Sequence, residues 1–341
     1  MTLQDLDRLP ELLLPWYQDN KRDLPWREIP AEPYHVWLSE IMLQQTRVEA
    51  VIPYYHRFLE ALPDIPALAA ADDETILKLW EGLGYYTRVR NLRAAAQKIM
   101  EDHNGIFPSS ITGIRALPGI GDYTAGAIAS IAFGQCEPAV DGNVLRVITR
   151  FAGAMDDITK NSVKQQIADG LRSIYPSGDP SGFTQSLMEL GALICLPNGT
   201  PKCAECPLQN ACSAHRNKLT DLIPVKKPKK PRKEEKHTIL ILSSKGKIAL
   251  RKRPEKGLLA SLWEFPFLPG HLTKDQVSQH YPACRHWQRG PEAVHIFSHI
   301  EWHMHSFTAE SPEELEGLQY FSPDQFPAVP SAFKAFLPLK K

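Results

Sequence analysis

Cys195, Cys203, Cys206 and Cys212 crowd into one loop rich in Pro, Asn, Lys and Gly, directly after the apolar helical stretch Phe183 to Ile194. A ligand shared by four thiols would draw the whole loop around one point, and no other feature constrains the fold as strongly. The intervals of seven, two and five residues contain one Cys-x-x-Cys pair, where a zinc ribbon usually brings two. Thiolate ligation of an iron-sulfur cluster suits that spacing better than zinc. A pair of disulfides is the remaining alternative, which a reducing compartment would not sustain. Cys136 and Cys284 stand far away and are expected to be ordinary buried thiols.

A chain of 341 residues exceeds the usual size of one core, so two domains are expected. Lys+Arg and Asp+Glu are both 39, which leaves no formal net charge. Nucleic-acid binding then depends on where the charge sits, not on its sum. No segment approaches roughly 18 uninterrupted apolar residues, and the acidic start MTLQDLDRLPELLL lacks a basic region before an apolar one. The expectation is a soluble cytoplasmic protein with no signal peptide and no membrane association.

Composition changes after the cysteine loop. The run Val225 to Lys233 is basic, punctuated by Pro228 and Pro231, and free of periodicity, as an extended linker is. Such a run is a solvated connector, or a phosphate contact if DNA passes nearby. Before it, apolar residues recur at helical spacing in 34–48, 75–80, 90–100, 123–133, 143–152 and 183–195. After it, His237 to Ser243 and Lys247 to Arg253 read as two strands joined by a Ser-Lys-Gly turn. The predicted order is an all-α region over 1–215, a basic linker over 216–236 and a smaller α+β domain over 237–341.

Three features of the helical region carry chemistry. Leu117-Pro118-Gly119-Ile120-Gly121-Asp122-Tyr123 lies between two helical stretches. Gly119 and Gly121 permit a tight turn with positive φ and let backbone N–H groups approach a phosphate at the next helix start, as in a helix-hairpin-helix. An ordinary helix-helix turn is the alternative. The helix predicted over Tyr34 to Val48 buries Trp37, Leu38, Ile41 and Val48, with Val36, Glu40, Gln44 and Arg47 on a neighbouring stripe. Glu40 is there either a surface charge or an acid with a raised pKa. Asp141, in Val-Asp-Gly-Asn before the periodic Val144, Val147, Ile148 and Phe151, reads locally as an N-cap.

Taken together, the hairpin, the VDGN segment and the four clustered cysteines resemble the endonuclease III superfamily of DNA glycosylases, and in finer detail its MutY-type adenine DNA glycosylases. The resemblance runs from about residue 10 to the C-terminus and is dense up to Cys212. It rests on RDLPWR at 22–27, VWLSEIMLQQTRV at 36–48, GLGYYTRVRNL at 82–92, the hairpin at 117–126, DGNVLRV at 141–147 and MELGALIC at 188–195. One departure is the seven residues between Cys195 and Cys203, where the family usually has six.

The resemblance implies one [4Fe-4S] cluster on Cys195, Cys203, Cys206 and Cys212, and an adenine-removing base excision repair enzyme. Glu40 would protonate the purine and Asp141 would stabilise the oxocarbenium-like sugar, since cleaving an N-glycosidic bond needs one acid and one carboxylate. Arg22, Leu24, Trp26, Arg27 and Glu189 match the family's adenine pocket, with Tyr123 and Asn143 beside it. Without the family, Trp26 reads equally as plain core. Gln45, with Gln44 and Thr46 beside it, and Tyr85 match positions that fill the vacated stack and hold the partner base. Alone they read as polar helix surface and a core tyrosine.

GLLASLWEFPFLPG at 257–270 resembles the family's MutT-like domain, and Phe297-Ser298-His299 its loop that probes 8-oxoguanine. The acidic metal-binding box of a MutT-type pyrophosphatase is absent, so this domain is expected to read a base and to hydrolyse nothing. His295, His299, His303 and His305 read as polar strand positions, not as a metal site. The partner implied is double-stranded DNA with A:8-oxoguanine or A:G mispairs, bound by a monomer in the cytoplasm and nucleoid of a bacterial cell.

Three rival readings remain: a pyrimidine-damage glycosylase with lyase activity, a nucleotide pyrophosphatase on the second domain, and a noncatalytic iron-sulfur DNA-binding protein. Lyase members carry a lysine where this chain has Tyr123, to form a Schiff base with the opened sugar. Borohydride added during turnover is therefore expected to trap no covalent protein-DNA complex. Efficient trapping would put the lyase reading first.

Overall fold

The structure is a computed structural model that describes residues 5–228 and 231–337. Among the described residues, twelve α-helices precede the sheet: α1 Leu9–Asn20, α2 Pro33–Leu43, α3 Val48–Ala61, α4 Ile65–Ala70, α5 Asp73–Leu79, α6 Thr87–His103, α7 Ile111–Arg115, α8 Asp122–Phe133, α9 Gly142–Ala152, α10 Asn161–Arg172, α11 Pro180–Leu193 and α12 Ser213–Arg216. Seven strands and one helix follow: β1 Lys233–Ser244, β2 Lys247–Lys252, β3 Trp263–Glu264, β4 Phe267–Pro269, α13 Lys274–His280, β5 Arg285–Ile296, β6 Ile300–Glu310 and β7 Gln319–Phe321. An all-α region followed by an α+β region is the fold class expected. Of the described residues, 5–71 with 90–228 form one compact unit, and 72–89 with 231–337 form another.

In the first unit, local chemistry starts and stops the helices. The side chains of Asp64, Ser110, Asp141 and Asp179 each accept an N–H three residues on, and Pro33 and Pro180 open α2 and α11. Val144, Ile148 and Phe151 of α9 pack with Leu9 and Leu13 of α1 and Phe183, Leu187 and Leu190 of α11. This packing brings the end of α1, the start of α9 and the middle of α11 to one place.

Two expectations for this unit fail in detail. The helix predicted through Val48 ends at Leu43, because Gln45 takes a left-handed φ of 61° and a new helix starts at Val48. The apolar spacing continues across the break, so periodicity alone hides it. In the hairpin, Gly119 has φ 75°, but Gly121 is extended at φ −92° and serves as the N-cap of α8. Only Gly119 needs glycine there: a Cβ on it would lie 2.6 Å from the Cβ of Asn91, whereas one on Gly121 would meet open space.

The second unit is built on one sheet ordered β3-β2-β1-β6-β5, with β4 also pairing β1 and β7 pairing β2. β1 and β6 run parallel from Lys233↔Ile300 to Ser243↔Glu310. Both faces are covered. Ile239, Phe265, Trp302 and Phe333 fill one core, and Leu240, Leu242, Val277 and Phe307 the other, which is why β1 reads as a continuous apolar run.

Strand β1 starts four residues before His237, inside the segment expected to be linker. Lys233 to Lys236 are largely exposed, so their charge masks a backbone that is already pairing with β6. Within the same expected linker, Val225 bridges Asp157 in parallel fashion; Lys229 and Lys230 lie outside the described residues. Cys284 is buried as expected, but Cys136 is exposed.

Close packing of α8 supplies a stability test. A Cβ on Gly126 would lie 2.2 Å from the carbonyl oxygen of Pro138, and backbone cannot move aside cheaply. Gly126→Ala is expected to cost about 1–3 kcal/mol in urea unfolding, against less than about 0.5 kcal/mol for an exposed surface substitution.

Candidate active site

A cavity of about 490 Å³ opens where these helices meet, a size suited to a small organic group. The segment between α1 and α2 contributes Arg22, Leu24, Trp26 and Arg27; α2 contributes Glu40; Gln45 sits just past its end. Tyr123 comes from the first turn of α8, Asp141 and Asn143 from the start of α9, and Glu189 from α11. Ten side chains singled out from the sequence thus share one cavity. Trp26 is both core and wall, since it is buried and stacks edge-on against Tyr55.

Glu40 and Asp141, a hundred residues apart in sequence, both face this space. Burial pushes the Glu40 carboxyl up to about 7; the Tyr123 hydroxyl, donating to its Oε2 at 2.6 Å, pulls the other way, and the charge of Asp141 adds to the rise. Burial also raises Asp141, against hydrogen bonds that favour its ionised form. Its Oδ1 accepts the Val144 N–H at 2.7 Å and its Oδ2 the Asn143 side-chain amide at 2.9 Å. Asp141 is therefore the N-cap it appeared to be locally and a cavity carboxylate as well.

Glu189 is fully buried yet ionised. Burial alone would raise its pKa, but Arg22 and Arg27 bring it down to about 2. Arg22 donates its backbone N–H at 2.9 Å and its Nε at 2.8 Å to Oε1, and Arg27 its Nη2 at 2.8 Å to Oε2. This pair of forks fixes the RDLPWR segment over the cavity.

Some wall residues were missed. Gln185, Met188 and Ala192 line the cavity from the same face of α11 as Glu189, a face readable from their i, i+3, i+4 and i+7 spacing. Val36 and Gln44 line it from the stripe they share with Glu40; Ser39 and Ile131 also line it, but they carry no sequence signal that separates them from core.

Helix α9 continues from Asp141 toward the cysteine loop. Arg146 donates to the Asn143 Oδ1 at 2.8 Å, the Gly191 carbonyl at 2.7 Å and the Cys195 carbonyl at 2.6 Å. One turn later, Arg150 Nη1 lies 3.3 Å from the Cys195 Sγ. Cys195, Cys203, Cys206 and Cys212 together line a second, much smaller pocket of about 30 Å³, walled by Val147, Phe151, Leu190, Ile194 and Leu208. Burial raises the Cys203, Cys206 and Cys212 thiols, and the four sit near enough to repel one another as thiolates. Among the described residues no three metal-binding side chains converge closely enough to hold a single ion. The thiols surround a shared space instead, and that donor set suits a thiolate-ligated cluster.

The remaining candidates lie elsewhere. Gly119 and Gly121 form the turn before α8. Tyr85 belongs to the second unit, about half exposed, with φ 49°. It is not a core tyrosine. Its hydroxyl lies 3.3 Å from the Ser298 Oγ, in the loop Phe297-Ser298-His299 that joins β5 to β6. Of the four histidines, His295 lies on β5 and His303 and His305 on β6; His305 Nε2 pairs with the Thr238 hydroxyl at 2.8 Å.

Residues 38–173 match the family described as HhH-GPD superfamily base excision DNA repair protein, and residues 237–338 match a NUDIX domain. Fold and matches define the class: a helix-hairpin-helix base excision repair enzyme with a NUDIX-type second domain. An adenine DNA glycosylase of Mus musculus is 37% identical over 352 residues, spanning 85% of this chain and 68% of its own. One of Buchnera aphidicola subsp. Baizongia pistaciae is 41% identical over 260 residues, spanning 75% and 72%. The solved structure of a thermostable thymine-DNA glycosylase, 27% identical, superposes with a TM-score of 0.56 over 63% of this chain and 100% of its own. The chain belongs to the adenine DNA glycosylase family.

Removing Glu189 leaves two guanidiniums facing each other without their anion. Glu189→Ala is expected to cost about 3 kcal/mol, the low end for a buried pair because Arg22 keeps some solvent. Since the Glu189 pKa falls from an ordinary 4.5 to about 2 on folding, its contribution is complete above about pH 4.5 and disappears as pH drops toward 2. Urea unfolding of Glu189→Gln and wild type should therefore differ most near neutrality and converge in acid.

Proposed function

We propose that this protein is a monofunctional glycosylase that hydrolyses the N-glycosidic bond of adenine opposite 8-oxoguanine or guanine in double-stranded DNA, leaving an abasic site. The observation that carries the reading is the convergence of Glu40 and Asp141 on one cavity in which Glu40 is held near pKa 7. A carboxyl of that pKa is about half protonated at neutral pH, so it donates to the departing purine, at N7, and then accepts a proton from water. Asp141, fixed by Val144 and Asn143, acts as the carboxylate that stabilises the positive sugar. The Tyr123 hydroxyl steadies Glu40 once the proton has left. A lysine nucleophile is missing at that position, hence no lyase step.

The base must leave the helix before the cavity receives it, at a cost of a few kcal/mol that is least for a mispair. Gln45, in its left-handed turn at the cavity rim, is placed to fill the gap, with Arg22, Leu24, Trp26, Arg27 and Glu189 walling the adenine. Tyr85 and the Phe297-Ser298-His299 loop read the base opposite. The NUDIX-type unit reads and does not hydrolyse: α13 carries Asp275 as its only carboxylate. Backbone N–H groups around Gly119 and Gly121 meet phosphate. Cys195, Cys203, Cys206 and Cys212 would hold one [4Fe-4S] cluster as a structural clasp, with Lys202 on that loop facing DNA. No helix among the described residues is long and apolar enough to cross a membrane. A monomer working on the nucleoid in the cytoplasm accords with the reading.

Duplexes bearing A:8-oxoguanine, A:G, A:T and thymine glycol, cleaved with alkali after incubation, test it directly. Strand scission is expected for the first two alone. Glu40→Gln should lower the single-turnover rate by about 10²-fold or more. For wild type the rate should fall as pH rises through about 7, where Glu40 loses its proton, and should also fall in acid as Asp141 gains one. Cleavage of thymine glycol only, or a Glu40→Gln enzyme of full activity, overturns the assignment.

A further inference from the structure

The loop that carries Tyr85 is internally stiff. Gly82, Gly84 and Tyr85 all have positive φ, at 106°, 69° and 49°. Trp80 Nε1 donates to the Gly84 carbonyl at 3.1 Å, and Arg88 Nη2 donates to the Leu83 and Gly84 carbonyls at 3.1 and 3.2 Å. The Arg88 guanidinium also lies over the rings of Trp80 and Tyr85, 5.4 and 5.5 Å from their centroids. A loop closed on itself in this way moves as one piece. Its direction is then set by whatever it is fastened to.

It is fastened at its base to a segment far away in sequence but in the same compact unit. Glu81 Oε1 accepts the backbone N–H of Val329 at 3.0 Å, and its Oε2 pairs with Lys78 Nζ at 2.8 Å. Lys78 Nζ donates in turn to the Phe326 carbonyl at 3.2 Å. Val329 is buried in the core that also holds Phe265, Trp302 and Phe333, so the anchor is part of the sheet's packing. The opposite loop is equally fixed: Lys233 N–H reaches the His299 carbonyl at 3.1 Å, and the Phe297 ring packs on Trp302 at 5.0 Å. Tyr85 and Ser298 therefore meet because two stiff loops are referred to one core.

We infer that Glu81, assisted by Lys78, is a positioning residue for partner-base selectivity: its grip on Val329 holds Tyr85 against Ser298. The inference rests on the proposed reading that Tyr85 and Ser298 probe the base opposite adenine. Glu81 touches neither the adenine cavity nor the cysteine pocket, so its loss affects choice of duplex and spares the chemistry.

The test compares full-length wild type, Glu81→Ala, Glu81→Gln, Tyr85→Ala and the double variant Glu81→Ala/Tyr85→Ala on A:8-oxoguanine and A:G duplexes. Glu81→Ala is expected to lower the ratio of kcat/KM values for the two duplexes by about tenfold, the size of one lost charge-assisted hydrogen bond. Its single-turnover rate on A:8-oxoguanine at saturating enzyme should stay within about twofold of wild type. Glu81→Gln keeps the accepting oxygen and should retain most of the ratio. With Tyr85 already replaced, Glu81→Ala should change nothing further. Hydrogen exchange should accelerate at the Val329 amide and across 82–88 in Glu81→Ala, which reports the latch without reference to activity. If Tyr85→Ala collapses the ratio while Glu81→Ala leaves ratio and exchange at wild-type values, the latch is wrong and the reading of Tyr85 stands. If Tyr85→Ala leaves the ratio unchanged, that reading fails and the inference falls with it.

Discussion

Two carboxylates forced into one buried cavity are the constraint around which the helical unit is arranged. Left in water, Glu40 and Asp141 would both be ionised at neutral pH and would repel each other weakly. Inside the cavity, burial is the largest influence on each, and it favours the neutral form of both. What separates them is hydrogen bonding. Asp141 receives a backbone N–H at the start of a helix and a side-chain amide, where the dipole also favours an anion. Glu40 receives one phenol. A shared proton accordingly belongs on Glu40, and the division into acid and anion follows from the scaffold.

Helix α9 acts as the ruler of that scaffold. It is capped by Asp141, carries Arg146 one turn on and Arg150 one turn beyond, and both arginines end in the cysteine loop. The Arg146 guanidinium is buried with its donors spent on Gly142, Asn143, Gly191 and Cys195, which ties α11 and the loop to the amide that orients Asp141. A fold in which the cysteine loop had no fixed position would leave the Nε donor of this buried cation without its Cys195 acceptor, a costly state. The loop and the cavity are thus parts of one hydrogen-bonded framework, even though no thiol lines the cavity.

The legibility of this structure in its sequence was uneven, for physical reasons. Helices such as Asp122–Phe133 and Gly142–Ala152 were readable because apolar spacing and caps act locally. The pairing of Glu40 with Asp141 was invisible to local rules, since nothing within a helical turn of either distinguishes it from a surface acid or a cap; only the resemblance joined them. Backbone exceptions were hidden too. Gln45 turns left-handed inside an unbroken periodic pattern, and Gly121 turns out to be extended although Gly-x-Gly allows positive φ at both positions. Lys233 to Lys236 read as linker because side-chain charge was legible and backbone pairing with β6 was not. The placement of residues 72–89 with the sheet goes with contacts between segments far apart in sequence, Glu81 to Val329 among them, for which composition offers no signal.

The proposed chemistry itself demands a second recognition element. The base removed is undamaged adenine, chemically the same as adenine in a correct A:T pair, so contacts within the cavity supply no difference in binding energy between right and wrong substrates. The easier extrusion of a mispaired base contributes only a few kcal/mol, against a large excess of normal pairs competing for the enzyme. The remaining discrimination has to come from the base left behind. On the proposed reading that task falls to the sheet with two well-packed cores, whose helix α13 carries Asp275 as its one carboxylate. The same reading gives a use to an exposed tyrosine in a strained turn that meets a serine 213 residues away. The strain is tolerable because stiffness is the useful property: a probe that yields to any base reports on none.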